Sequence, residues 1–222
     1  MSWDVIVIGG GAAGLFCAGI AGQLGKKVLV LDHASVLGDK SRISGGGRCN
    51  FTNLHSAPTH FLSLNPHFVK SSLARYSSKD FIDLVKHYRI PFHEKHQGQL
   101  FCDESAKDII QMLFSECQQG GVQIQNPVTV STISHSQDAW ELVTSQGRQQ
   151  TRHLVIATGG LPVPAIGASD YALKVAKQFD IPVNPVRPAL VPLSFTAGEF
   201  LQMSDLSGVS IPVTISSGQK GK

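Results

Sequence analysis

Residues 9 to 14 form a glycine pattern that suits the binding of a pyrophosphate. Gly9-Gly10-Gly11-Ala12-Ala13-Gly14 fits G-x-G-x-x-G. In this pattern Gly9 permits a tight turn, Gly11 lets the backbone approach a pyrophosphate, and Gly14 lets a helix pack closely on the strands. The free N–H groups at the start of that helix would then face the phosphates.

The elements around this turn come in the order of a dinucleotide-binding βαβ unit. The apolar run Val5-Ile6-Val7-Ile8 predicts a buried parallel strand, an apolar helix follows to about Gly25, and residues 27–31 predict a second strand. That strand ends at Asp32, whose carboxylate can accept hydrogen bonds from a ribose hydroxyl. The order favours a nucleotide site over a glycine turn without a ligand, and the 18 positions from Gly14 to Asp32 suit both NAD and FAD. An aspartate rather than a glutamate favours NAD, so the pattern leaves both cofactors open.

A second glycine cluster, Ser44-Gly45-Gly46-Gly47-Arg48-Cys49-Asn50-Phe51-Thr52-Asn53, is suited to contact with a planar ring. Its three glycines free the backbone to lie flat against such a ring. Arg48 could hold a phosphate or a carbonyl-rich ring by charge-assisted hydrogen bonds. Cys49 could donate a proton, depending on its pKa and exposure. The alternative interpretation is a flexible glycine loop with one structural cysteine.

The rest of the chain alternates helices and strands. Ser77 and Ser105, each followed three residues later by an aspartate, predict helix N-termini, and Gly120-Gly121 predicts the end of the second helix. Residues 38–53 lack helical or strand periodicity, and 65–88 predict a helical region. Predicted strands span residues 122–124, 128–133, 140–144 and 151–157, with a hairpin turn at Gln146-Gly147 and a helix over 169–179. The last strand ends in Thr158-Gly159-Gly160, which suits a return to the cofactor edge of the sheet. The pattern predicts an α/β fold.

Composition narrows the class of protein. The 222 residues are 42% hydrophobic and 16% charged, which is ordinary for a globular protein, and the net charge of +3 permits contact with a polyanion without requiring it. Four cysteines without a C-x-x-C pair favour a reducing cytoplasm over a disulfide framework or a zinc site. The nine histidines lack the spacing of a metalloprotease helix, so we predict no metal site. No apolar run reaches membrane-spanning length, and we predict no membrane or DNA partner.

Between residues 40 and 90 the chain is rich in basic side chains. They are Lys40, Arg42, Arg48, Lys70, Arg75, Lys79, Lys86 and Arg89. We interpret most of them as part of a solvated surface. Contact with RNA is the alternative, and strong salt dependence of binding would support it.

Three segments together resemble the BaiN/RdsA-like, or YhiN-type, family of bacterial FAD-dependent oxidoreductases. They are the strand and glycine turn over residues 5–14, the Gly45-Gly46-Gly47-Arg48-Cys49-Asn50 element with Thr52-Asn53, and Ala157-Thr158-Gly159-Gly160. Residues 188–193 and 206–210 are similar to that family as well. The resemblance covers essentially the whole chain, and its most specific part is the Gly-Gly-Gly-Arg-Cys-Asn element.

The resemblance implies a Rossmann-like, glutathione-reductase-type domain that holds FAD in an extended pose. Gly9, Gly11, Ala13 and Gly14 would hold the pyrophosphate, Asp32 the adenosine ribose, Val130 the adenine, and Ala157, Thr158 and Gly159 the pyrophosphate side. Gly46, Gly47, Arg48, Cys49 and Asn50 would lie near the flavin ring. Cys49 is the candidate proton donor, and Arg48 would steady negative charge on the substrate carbonyl.

The resemblance also implies an activity. The family reduces activated C=C bonds: one branch is similar to enzymes that reduce uracil to dihydrouridine in ribosomal RNA, and another to enzymes that reduce steroid enones. We therefore expect an oxidoreductase with NAD(P)H as electron donor and a small molecule or ribosomal RNA as substrate. The oligomeric state is not predicted.

The chain departs from the family pattern in several places. Asp32 stands where a glutamate is common, Gln99-Leu100-Phe101-Cys102 replaces a Gly-Arg-Val-Phe-Pro-like segment, and the turn at residues 167–171 is shorter. Family members are nearly twice as long. We therefore expect residues 1–185 to form an incomplete FAD-binding domain and 186–222 to begin an inserted β-rich domain. The alternatives are an NAD-binding Rossmann protein and a truncated, non-catalytic flavoprotein fragment.

Overall fold

A computed structural model describes residues 2–136, 138–188 and 214. The chain divides into two compact units, Met1–Val183 and Asn184–Lys222. The β-rich domain expected over 186–222 lies outside the described residues, apart from 186–188 and Thr214. No helix in the described part of the chain is long and apolar enough to cross a membrane.

The first unit contains nine strands and six α-helices among its described residues. The strands are β1 Ser2–Ile8, β2 Val28–Leu31, β3 Asn50–Asn53, β4 Phe92–Glu94, β5 Gln99–Cys102, β6 Gln123–Gln125, β7 Val130–Ser136, β8 Ala139–Thr144 and β9 Gly147–Ile156. The helices are α1 Ala12–Gln23, α2 Asp39–Ile43, α3 Lys70–Arg75, α4 Ser78–His87, α5 Ala106–Gln119 and α6 Tyr171–Gln178.

The larger sheet has the strand order β6-β2-β1-β9-β8-β7. Its first four strands are parallel, and β9, β8 and β7 form an antiparallel meander. The predicted hairpin between β8 and β9 is present, but it turns at Ser145-Gln146 and pairs Thr144 with Gly147, one residue earlier than predicted. The α/β fold class is therefore confirmed.

Both faces of β1 and β2 are buried, which explains why these strands are continuous apolar runs. Alternate residues of β1 point to opposite faces. Val5 and Val7 join the core that contains α1 and α5, whereas Ile6 and Ile8 join the core against which α6 packs. The sheet is thereby held between helical layers, and the carboxyl ends of its strands meet at one edge.

The predicted helix N-termini are confirmed. The Ser77 Oγ accepts a hydrogen bond from the Asp80 N–H, and the Asp80 carboxylate accepts one from the Ser77 N–H. The Ser105 Oγ accepts a hydrogen bond from the Lys107 N–H, and α5 ends at Gln119 with Gly120 as its C-cap. These caps satisfy N–H groups that a helix leaves without partners.

The segment over residues 38–53 differs from its prediction, since it contains α2 and β3. The strand β3 pairs with β5, which also pairs with β4, and the three form a small antiparallel sheet. β3 forms a strand because it pairs with β5, about 50 residues further along the chain. Its own sequence has no strand periodicity, so the sequence pattern could not indicate it. The helical region predicted over 65–88 is divided into α3 and α4.

Candidate active site

The carboxyl ends of β1, β2 and β9 open onto a cleft of about 1270 Å³. Residues at the three strand ends line it: Ile8, Gly9, Leu31, Asp32, Ala157 and Thr158. Drug-sized ligands occupy pockets of roughly 300–1000 Å³. The larger cleft suits an elongated ligand, and the edge where parallel strands end is where such folds bind nucleotides.

The glycine turn after β1 has two glycines that the packing requires and one that faces open space. Gly9 has φ +113°, and a Cβ at this position would lie 2.5 Å from the Ala157 carbonyl oxygen. A Cβ at Gly14 would overlap the Gly9 carbonyl oxygen. At Gly11, by contrast, a Cβ would meet nothing within 4 Å. Gly11 caps α1 and lines the cleft, so the first N–H groups of α1 are left for a ligand.

The Asp32 carboxylate lies in the cleft and binds two backbone amides. One oxygen, Oδ2, accepts a hydrogen bond of 2.5 Å from the Gly10 N–H, and Oδ1 accepts one of 2.7 Å from the Ala34 N–H. The His33 Nδ1 lies 3.5 Å from Oδ1. Asp32 therefore ties the glycine turn to the loop after β2. Each carboxylate oxygen can accept a second hydrogen bond, so a ribose hydroxyl could still bind here. The contact between Asp32 and a ribose stays a prediction.

The end of β9 brings a polar group without a partner into the cleft. The Ala157 N–H donates to the Ile8 carbonyl oxygen at 2.7 Å, which holds this turn beside β1. The adjacent Thr158 Oγ1 is buried and has no hydrogen-bond partner among the described residues. Leaving a buried hydroxyl unsatisfied costs about 1–3 kcal/mol. A polar ligand such as a pyrophosphate would satisfy it, so this part of the cleft fits the predicted cofactor.

The second glycine cluster brings Cys49 and Asn50 to the cleft. Gly45, Gly46 and Gly47 have φ of +59°, +68° and +87°, and Cys49 itself has φ +50°. The Cys49 N–H donates to the Ser44 carbonyl oxygen at 3.0 Å. Its side chain is buried, and burial raises the pKa of the Cys49 thiol above its usual value. A thiol in this setting stays protonated at neutral pH and can act as a proton donor.

The other predicted residues are placed as follows. Ala13, Val130 and Gly159 line the cleft with the strand-end residues. Gly46, Gly47 and Arg48 do not line it; Gly46 and Arg48 are exposed. The predicted pyrophosphate, ribose and adenine residues thus line one cleft with Cys49 and Asn50, except that Gly14, Gly46, Gly47 and Arg48 do not line it. The ligand roles of all these residues stay predictions.

Several cleft residues were not singled out from the sequence. They are His33, Phe61, Tyr76 and Tyr171. His33 directly follows the acidic residue of the βαβ unit, and that position was the available signal for it. The others come from segments without a motif, and only the tertiary fold brings them to the cleft.

Fold and cleft together define the class as a Rossmann-type domain of the FAD-binding kind. Comparison with models of protein families assigns this chain to a family. The model of the HI0933-like protein Rossmann domain matches residues 3–217, and the chain belongs to that family. The BaiN/RdsA-like resemblance is thereby confirmed.

Named relatives agree with this placement. The ribosomal RNA dihydrouridine synthase of Haemophilus influenzae is 48% identical over 214 residues, which are 95% of this chain and 53% of that protein. The protein of the same name from Escherichia coli is 45% identical, over 96% of this chain and 53% of its own length. The 3-dehydro-bile acid delta(4,6)-reductase of Clostridium scindens is 24% identical, over 84% and 46%. The chain thus spans about half the length of these relatives.

Among solved structures, glycine oxidase from Bacillus cereus shares the fold. It has a TM-score of 0.56 and 17% sequence identity, and the match covers 81% of this chain and 58% of that chain. At this identity the similarity supports the α/β architecture alone.

Proposed function

We propose that this chain forms the FAD-binding part of a flavin-dependent oxidoreductase that reduces an activated C=C bond. The proposed substrate is uracil in ribosomal RNA, and the proposed electron donor is NAD(P)H. The main support is the single cleft that runs from the glycine turn of β1 to the buried thiol of Cys49. The names of the relatives from Haemophilus influenzae and Escherichia coli, at 48% and 45% identity, support the choice of substrate.

The residues of the cleft suggest how FAD would be held. The N–H groups at the start of α1 and the unpartnered Thr158 hydroxyl suit the pyrophosphate. Asp32 and Val130 suit the adenosine end. Cys49 and Asn50 suit the flavin end, with Gly46, Gly47 and Arg48 contributing from the same loop. We further propose that residues 1–185 form this domain and that 186–222 begin an inserted β-rich domain.

In the proposed reaction the cofactor carries the hydride chemistry and the protein supplies a proton and orientation. The chemistry that bound, reduced FAD would supply is a hydride for one carbon of the C=C bond. The Cys49 thiol would give its proton to the neighbouring carbon, so that two hydrogens are added. Burial of Cys49 favours the neutral thiol and keeps the proton available. Arg48 would balance negative charge on the substrate carbonyl if its side chain turns toward the cleft.

Cofactor identity is tested by titrating the purified protein with FAD and with NAD. We expect FAD to bind and to change the visible absorbance, whereas NAD alone does not saturate the site. Asp32 favours the competing NAD-binding interpretation. A colourless protein that binds NAD and excludes FAD would overturn the proposal.

The role of Cys49 is tested by Cys49→Ser in the FAD-loaded protein. We expect flavin binding and NAD(P)H oxidation to be retained and reduction of the uracil-containing substrate to fall by about 10²-fold or more, since general acid catalysis contributes about that much. Cys17→Ser is the matched control, because Cys17 is a second thiol whose side chain does not line the cleft. Unchanged turnover in Cys49→Ser would remove the assignment. A protein that binds FAD without any turnover would favour the non-catalytic alternative.

We also propose that the protein acts in the cytoplasm. All four cysteines are free thiols, and three of them are buried. Such a set suits a reducing compartment.

A further inference from the structure

A long stretch of the chain beside the cleft contains no acidic residue. Residues 40–79 include no Asp or Glu, although the whole chain has 16 of them. The same stretch carries six cations: Lys40, Arg42, Arg48, Lys70, Arg75 and Lys79. Arg42 and Lys79 pair with Asp39 and Asp83, which lie just outside the stretch. Within the part of the chain that the structure describes, the other four form no ion pair with an acid.

This acid-free stretch forms one wall of the cleft. Lys40, Asn50, Phe61 and Tyr76 all line it. Of the six cations in this stretch, Lys40 lines the cleft. The stretch also contains Cys49, so the proposed proton donor and the cations belong to one continuous segment.

The same stretch exposes large apolar side chains. Leu62 and Leu64 are 95% and 93% exposed, Phe68 is 76% exposed, and Phe61 is nearly half exposed at the cleft. Exposed aromatic groups next to cations are the features with which proteins bind single-stranded nucleic acid: phosphates pair with the cations and bases stack on the rings.

We propose that residues 40–79 form a docking surface for single-stranded RNA that leads one base into the cleft. The inference rests on the RNA substrate in the proposed function and adds the surface that would recognise it. A base must leave its stack before chemistry can occur on it, so an unpaired strand beside the cleft meets the requirement of the reaction. An anionic membrane is the less favoured partner, because the helix α3 of this stretch has only six residues and cannot present a long amphipathic face.

The surface is tested by fluorescence anisotropy with a labelled 20-nucleotide single-stranded RNA that contains uridines. The full chain is measured with and without saturating FAD, at several salt concentrations. We expect the double variant Lys70→Gln/Arg75→Gln to weaken binding by about tenfold, and to reduce the slope of log affinity against log salt by about 1.4, since each lost phosphate contact removes about 0.7. The control is Arg148→Gln/Arg152→Gln, which removes two exposed cations of β9.

The stacking component is tested by Phe68→Ser. We expect a loss of about fivefold or more in RNA affinity, in line with the loss of one stacked base. Leu24→Ser is the control, because the exposed fraction of Leu24, 74%, is similar to that of Phe68, but Leu24 lies at the end of α1. Circular dichroism checks that each variant is folded.

The outcomes separate this inference from the proposed function. Equal losses in test and control variants, or binding to vesicles with anionic lipid but not to RNA, would overturn the docking surface. Intact FAD binding with no RNA binding would overturn the surface and leave the flavin assignment standing. Intact RNA binding without FAD binding would overturn the flavin assignment and leave the docking surface standing.

Discussion

At the scale of single residues, Asp32 has a structural task that does not depend on any ligand. Its two oxygens accept hydrogen bonds from Gly10 and Ala34, so the carboxylate holds the turn of β1 against the loop after β2. Hydrogen bonds to charged groups contribute about 1.5–3 kcal/mol each. The Asp32 side chain thus binds backbone amides of the protein itself.

We predict that Asp32→Asn destabilises the protein before any cofactor is added. An amide can accept only through its oxygen, and its NH₂ group would face one of the two N–H donors. The free energy of unfolding should fall by about 1–3 kcal/mol in urea titrations of the cofactor-free protein. Glu104→Gln, at an exposed acid, is the control. An unchanged urea midpoint for Asp32→Asn would show that the two hydrogen bonds do not stabilise the turn.

Gly11 and Gly14 belong to one motif but should respond differently to substitution. Gly14→Ala places a Cβ against the Gly9 carbonyl oxygen, and we expect overpacking to cost about 1–3 kcal/mol of stability. Gly11→Ala meets no neighbouring atom, so stability should be retained while FAD affinity falls because the new methyl group stands in the cleft. Thermal melting and FAD titration measure the two effects. Equal stability losses in both variants would contradict this division.

At the scale of elements, the sequence predicted what is encoded locally. The βαβ unit was predictable because its strand, turn and helix are contiguous, and the caps at Ser77 and Ser105 because each motif spans four residues. The small sheet was not, because β3 is short and acquires its pairing from β5. Tertiary contacts likewise limit what the sequence can predict about the candidate site. The family motif indicated the loop around Cys49, but the tertiary fold decides that Cys49 faces the cleft and Arg48 does not.

The contact between α1 and α5 is close because glycines stand on both sides. A Cβ at Gly22 would overlap the Gly120 carbonyl oxygen, and one at Gly19 would lie 3.2 Å from the Glu116 Cβ. Nearby, the Cys117 Sγ donates to the Leu15 carbonyl oxygen at 3.2 Å. The two helices therefore meet backbone to backbone.

We predict that Gly22→Ala separates these helices and destabilises the fold by about 1–3 kcal/mol, despite the better helix propensity of alanine. Urea unfolding followed by circular dichroism measures the change. Gln118→Ala, on the exposed side of α5, is the control and should change stability by less than about 0.5 kcal/mol. A higher free energy of unfolding for Gly22→Ala would mean that α1 and α5 are packed less closely at this position.

At the scale of the whole molecule, all four cysteines and all three tyrosines have raised pKa values. Burial is the largest cause in every case; the pKa of Cys117 is raised to about 11, and those of Cys102 and Tyr88 are raised to about 12. For Tyr88 the neighbouring Glu116 carboxylate adds to the effect. The folded state thus binds protons at these groups more tightly than the unfolded chain does.

We predict that stability falls at alkaline pH. Each of these thiol and phenol groups is neutral when protonated, and its pKa is higher in the folded protein than in the unfolded chain. Its contribution to stability is therefore fully present below the pKa of the unfolded chain and is lost as the pH rises toward the pKa of the folded protein. The loss should begin near pH 9 and continue to about pH 11–12. Urea midpoints measured from pH 7 to 11 test this. Cys117→Ala should make the fall less steep, and a fall of equal steepness would contradict the role of its thiol.

The sheet order has a consequence for the synthesis of the chain. β1 is made before the other strands of the sheet, and β2 soon covers one of its edges, but its other edge pairs with β9, whose last partner is Ile156. At roughly 5–20 residues per second, a ribosome needs on the order of 10–30 s to deliver that partner. During this interval one edge of an apolar strand has unpaired backbone groups that could pair with another chain. Completion of the nucleotide-binding edge and protection against aggregation therefore depend on the same late event.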